Sequence, residues 1–126
     1  MILEADLPRD ARAPFKARAL VANFRCGLTI PQLADAMLAV SELVTSASRR
    51  GDGRITLRLE SPARGLRAYV GHEGNGFHPA DGDMGLEIVE AMTDDWGVEG
   101  GGTGAWFEIG VPSDASAPDG AGRAGS

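Results

Sequence analysis

Cysteine, lysine and aromatic side chains are all scarce in this chain. Cys26 is the one cysteine, so no intramolecular disulfide can form and nothing demands an oxidising compartment; a cytoplasmic address is the expectation. Aromatics make up only 6% of the residues, so Ala, Leu and Val must build the core, while the 43% apolar content argues against wholesale disorder. No apolar run approaches the roughly 18 residues of a membrane span, and the N-terminal Met-Ile-Leu-Glu-Ala-Asp-Leu-Pro-Arg-Asp carries acids where a signal peptide carries bases, so no membrane partner is expected. Basic residues are missing altogether between Arg67 and Arg123, a stretch that holds 11 carboxylates. That stretch is unsuited to gripping a nucleic-acid backbone, and no nucleic-acid partner is expected. The imbalance is local: residues 1–50 carry 5 acids and 7 bases, the remainder 13 acids and 5 bases.

What is present fits one domain of 126 residues with a modest core. Residues 1–112 are expected to fold, and the Ser/Ala/Gly/Asp tail 113–126, without a large apolar side chain, is expected to be disordered. Ile2 to Leu7 reads as a short opening strand stopped by Pro8. From Ala11 to Cys26 the positions Phe15, Ala19, Ala22 and Cys26 recur at helical spacing, and Gly27 supplies a stop. A second helix opens at Thr29-Ile30-Pro31, with Thr29 as its cap and Leu33, Met37, Val40, Val44 and Ala47 as its core stripe. Gly51-Asp52-Gly53 breaks it. Ile55, Leu57 and Leu59, then Leu66, Ala68 and Val70, alternate as the strands of an antiparallel hairpin. Residues 71–82, with five Gly or Pro, read as irregular; a third helix follows over Met84 to Asp94, then two strands around Gly100-Gly101-Gly102. The expected architecture is α+β, a two-layer sandwich with about three helices on one face of the sheet.

Four segments carry the chemistry. On the second helix, Glu42, Thr45, Ser46 and Arg49 share a face opposite the apolar stripe, which by spacing alone reads first as a solvated surface and second as a wall presenting a carboxylate and hydroxyls to a ligand. In Val70-Gly71-His72-Glu73-Gly74-Asn75-Gly76-Phe77 a strand end runs into alternating glycines, which permit a tight turn or close approach to a planar ligand. Gly82-Asp83-Met84-Gly85-Leu86-Glu87-Ile88-Val89 leads into a helix whose free amides suit an anion. Gly100-Gly101-Gly102-Thr103-Gly104 reads as a hairpin turn whose amides and hydroxyl can also touch a phosphate.

In order and spacing, these segments resemble the boxes of the GHKL, or histidine kinase-like, ATP-binding fold. The similarity is greatest to the short anti-sigma regulatory factors with Ser/Thr protein kinase activity that work in bacterial partner switching. The family's helix motif S-E-L-V-T-N-A is matched by Ser41-Glu42-Leu43-Val44-Thr45-Ser46-Ala47, its D-x-G-x-G by His72-Glu73-Gly74-Asn75-Gly76, and its G-x-G-L-x-I-V by Gly82, Gly85, Leu86, Ile88 and Val89. The resemblance spans residues 5–111. It implies a mixed, mostly antiparallel sheet backed by three helices, with ATP and Mg²⁺ as cofactors. Glu42 would be the catalytic base, and Ser46 would occupy the metal-ligating position. His72 would occupy the adenine-recognising position, with Gly74 and Gly76 against the base and Gly82, Gly85, Leu86 and Thr103 near the phosphates. It further implies a sigma factor or an anti-sigma antagonist as partner, and a homodimer formed through the sheet's N-terminal edge.

Two positions depart from the family pattern. Ser46 replaces an Asn amide with a shorter hydroxyl that is a poorer magnesium ligand. His72 replaces a carboxylate that always accepts with a ring that accepts only when neutral. Two functions follow as expectations. One is an anti-sigma-like regulatory protein with a partly degenerate nucleotide pocket, a pseudokinase acting by protein binding. The alternative is an active MgATP-dependent Ser/Thr kinase that phosphorylates an antagonist protein.

Overall fold

The computed structural model describes residues 1–74, 84–99 and 103–112. In chain order these form β1 (Ile2–Leu7), α1 (Ala13–Asn23), α2 (Ile30–Arg50), β2 (Gly51–Glu60), β3 (Leu66–Gly74), α3 (Met84–Met92), β4 (Asp95–Glu99) and β5 (Gly104–Ile109). Helix α2 starts where its sequence can satisfy its own free amides. The amide of Gln32 donates to Thr29 Oγ1 at 3.2 Å and the amide of Thr29 donates to Gln32 Oε1 at 2.9 Å, a reciprocal capping box. A cap of this kind stabilises a helix by about 1 kcal/mol.

The strands lie in the order β1-β2-β3-β5-β4, and every neighbouring pair is antiparallel, so the sheet is not mixed. Register places Leu3 opposite Leu59, Leu57 opposite Val70, Ala68 opposite Phe107 and Trp96 opposite Phe107. One face of the sheet is therefore apolar from edge to edge, and it carries the helices. Helix α2 packs on β2, β3 and β5 and is flanked by α1 and α3, which gives the two-layer α+β sandwich. The opposite face is polar: Arg67 bridges Glu60 at 2.9 Å and Glu108 at 2.7 Å, and Arg58 reaches Glu4 at 3.6 Å.

Three sequence expectations shift. The buried face of α1 is Ala13, Ala17 and Val21, whereas Phe15 is 68% exposed, Ala19 and Ala22 face solvent, and the helix stops at Asn23. Small residues on that face let α1 approach α2 closely, and Phe15 turns outward under the guanidinium of Arg18, 4.6 Å from its ring centroid. Strand β2 begins directly after α2, with Gly53 at φ +69° inside an irregularity between Asp52 and Ile55. Strand β3 continues through Gly71 to Gly74 rather than ending at Val70. At Gly71 a Cβ would lie 3.0 Å from the Tyr69 ring, which leans along the strand, so glycine gives that ring room. The tail 113–126 lies outside the described residues.

Candidate functional site

Helix α2, strand β3 and helix α3 carry the sequence-picked residues, and α2 touches both of the others. Glu42 is half-buried, one helical turn before Ser46. Ser46 is only 2% exposed. On a helix of 3.6 residues per turn it falls about 60° from Leu43, inside the buried arc rather than opposite it. The polar face inferred from spacing is thus split: Arg49 is exposed, Glu42 and Thr45 are half-buried, and Ser46 belongs to the interior.

The alternation of β3 decides the fate of the next pair. Leu66, Ala68 and Val70 point to the helices, so His72 does too, and it is 7% exposed. Glu73 points the other way, is exposed, and lies over Gly53, where a Cβ would collide with its carboxylate. It accepts from the Arg54 amide at 3.3 Å, so it steadies the irregular start of β2 and does not substitute for His72. The His72 ring is oriented by its neighbour: Nδ1 lies 2.8 Å from the Glu73 carbonyl. A carbonyl only accepts, so Nδ1 carries the proton, and in the neutral ring Nε2 is then the acceptor nitrogen. That tautomer suits a ligand group that donates a hydrogen bond, as an aromatic amino group does.

Thr103 joins His72 through the backbone, since the His72 amide donates to the Thr103 carbonyl at 2.9 Å. Leu86 is buried among the core side chains that α3 contributes, and Gly85 lies in the first turn of that helix. Gly74 is the last residue of β3, paired with Gly51. Gly76 and Gly82 lie outside the described residues, as do Gly100, Gly101 and Gly102.

Magnesium favours an octahedron built from one or two carboxylates, phosphates and several retained waters. Ser46 offers one neutral, interior oxygen, and no group of three or more His, Cys, Asp or Glu comes together among the described residues. These residues do not by themselves fit a magnesium site, and a nucleotide's own phosphates would have to supply most of the ligands.

One residue that the motifs pass over is prominent. Arg9 Nη1 donates to the Ala47 carbonyl at 2.8 Å and to that of Ser48 at 3.1 Å, while its Nε donates to the Gly53 carbonyl at 2.8 Å. It caps the negative end of α2 and binds it to β2. Its signal in the sequence is a charged residue directly after the strand-stopping Pro8.

No family model matches the chain, and no curated protein matches it.

Proposed function

We propose that this chain is a regulatory binding protein of bacterial partner-switching signalling, anti-sigma-factor-like. Its nucleotide pocket departs from the ATP-binding pattern, and it acts by contact with a sigma factor or an anti-sigma antagonist. The observation that carries the reading is the placement of the two departures. Ser46 and His72 are both buried on the layer boundary between helices and sheet. A changed residue at the surface is easily bypassed by water or a neighbouring side chain, whereas an interior one defines the shape and charge of what it faces. Neither residue supplies a permanent negative charge there, and Glu73 on the opposite face does not make up the loss.

A second reading is supported by Glu42, half-buried and one turn from Ser46. In it the chain is an active MgATP-dependent Ser/Thr kinase with Glu42 as general base, holding the substrate hydroxyl within hydrogen-bond reach. Bound ATP would supply the transferable phosphoryl group, and His72 Nε2 would accept from the adenine amino group. Calorimetry with MgATP separates the two. The regulatory reading expects no binding, or binding weaker than roughly 100 µM, equivalent to about −5.5 kcal/mol. A low-micromolar constant overturns it in favour of the kinase.

A further inference from the structure

Arg9 lies in the link between β1 and α1, and three of its bonds end beside the two residues that depart from the motif pattern. Nη1 holds the carbonyls of Ala47 and Ser48, which directly follow Ser46 on α2. Nε holds the carbonyl of Gly53, and the contact continues on the far side of that peptide group. The same peptide unit presents the Arg54 amide, which donates to Glu73 Oε1 at 3.3 Å. One peptide thus takes a cation at its oxygen and an anion at its nitrogen. Each bond polarises the group in the direction that strengthens the other.

This chain of contacts ends at His72. The Glu73 side chain is anchored by the Arg54 amide and packs over Gly53, while the backbone carbonyl of the same residue receives Nδ1–H of the His72 ring at 2.8 Å. The strand register accounts for the need. Pairing of β2 with β3 runs in step from Ile55 opposite His72 to Glu60 opposite Arg67, but it shifts between Asp52 and Ile55. Gly53 and Arg54 have no partner in the register with β3, so the hold on their shared peptide comes from Arg9 on one side and the Glu73 carboxylate on the other. Irregularities of this kind re-aim the side chains next to them.

We propose that Arg9 is a positioning residue for the candidate site. Through the peptide between Gly53 and Arg54, and then Glu73, it fixes the orientation and tautomer of the His72 ring, while its other arm fixes the α2 turn that follows Ser46. With Nδ1 carrying the proton, Nε2 is the accepting nitrogen. Arg9 thereby sets the hydrogen-bonding class of ligand the site takes: a group that donates, such as an amino group on an aromatic ring. A ring released from this hold populates both tautomers and loses that preference. The inference rests on Ser46 and His72 being the site residues, but not on a nucleotide being bound.

Long-range proton–nitrogen NMR of the full chain reads the tautomer of each imidazole, and His78→Gln tells the chain's two histidines apart. In the parent, His72 is expected mainly as the Nδ1–H form. In Arg9→Gln the ratio of Nδ1–H to Nε2–H should fall by a factor of about five, the worth of one ordinary hydrogen bond. Glu73→Ala breaks the relay at its far end and should move the ratio the same way, with the double variant going no further than the larger single one. Arg9→Lys should lie between the parent and Arg9→Gln. Thr29→Ala removes the cap at the opposite end of α2 and destabilises the fold without touching the relay, so it should leave the ratio unchanged. An unmoved ratio in a cooperatively melting Arg9→Gln overturns the proposal, as does an equal shift in Thr29→Ala or additive shifts in the double variant. If Arg9→Gln fails to fold, Glu73→Ala is set against Glu73→Gln, which keeps the acceptor oxygen; equal shifts in those two likewise overturn it. No nucleotide is added, so failure here is separate from failure of the proposed function, which the MgATP titration decides.

Discussion

The His72 amide donates to the Thr103 carbonyl at 2.9 Å, one step beyond the Gly71 and Gly104 pair of the β3–β5 ladder. Two residues 31 positions apart, drawn from separate glycine-rich segments, are thereby held side by side at the end of the sheet. The ladder, not either loop alone, positions them. The His72 ring is then turned by its Nδ1–H bond to Glu73, so its chemistry is set by backbone on both sides.

Changing His72→Asp together with Ser46→Asn restores the residue types of the resembled motifs. Calorimetry should show MgATP affinity rising at least ten-fold over the parent chain. The single change His72→Asp should also cost stability, about 1–3 kcal/mol, because it deletes the ring's bond and turns a carboxylate towards the Glu73 carbonyl. A double variant that folds and still ignores ATP would show that the pocket differs elsewhere.

Most of the fold was legible because its signals are local and mutually consistent. Thr29 announces the start of α2, and the strict alternation of Ile55, Leu57 and Leu59 announces one buried sheet face. Helix α1 was harder. Its sequence offers two apolar rows at helical spacing, and Phe15 draws the eye to the wrong one; the deciding factor is the close approach to α2, which favours Ala13 and Ala17. Strand β3 was cut short for a similar reason: glycine at position 71 looks like loop until the Tyr69 ring lying against it is known. Of the candidate site, the burial of His72 was hidden with the end of β3, since the alternation of Leu66, Ala68 and Val70 reaches it only because the strand continues to Gly74. That of Ser46 was hidden as well, since a serine beside the apolar arc reads as the edge of a polar face.

Arg9→Ala should destabilise the protein by about 1–3 kcal/mol, because three carbonyls at the end of α2 and in β2 lose a charged donor. Arg9→Lys should recover less than half of that loss, since one ammonium cannot reproduce the fork that reaches Ala47, Ser48 and Gly53 together. Urea unfolding of the three proteins measures both. Equal stability of Arg9→Ala and parent would mean that water serves these carbonyls as well as arginine does.

Gly104→Ala should cost about 1–3 kcal/mol by overpacking, because the new methyl would lie 2.7 Å from Tyr69 Cζ. The same ring also lies beside Gly71, so the two glycines together bound its place on the strand. In the background Tyr69→Val the same glycine change should cost much less, and the difference is the coupling read from a double-mutant cycle. Additive effects would place the strain of Gly104→Ala somewhere other than this ring.

Tyr69 is the chain's one tyrosine, so its ionisation can be followed without interference. Burial, and after it the nearby charge of Glu99, pushes its hydroxyl above the ordinary tyrosine value. Because the folded value lies above the unfolded one, the neutral phenol contributes stability that is fully present below about pH 10 and is lost as the pH rises through the folded value. Near-ultraviolet absorbance of the phenolate should therefore give a midpoint higher in the native protein than in urea, and unfolding free energy should decline over that same interval. Glu99→Gln removes the second cause and leaves the first, so its midpoint should fall between those of the parent and the unfolded chain. Coincident native and unfolded midpoints would mean that solvent reaches the hydroxyl freely and that the Tyr69 ring does not pack against Gly71 and Gly104 as described.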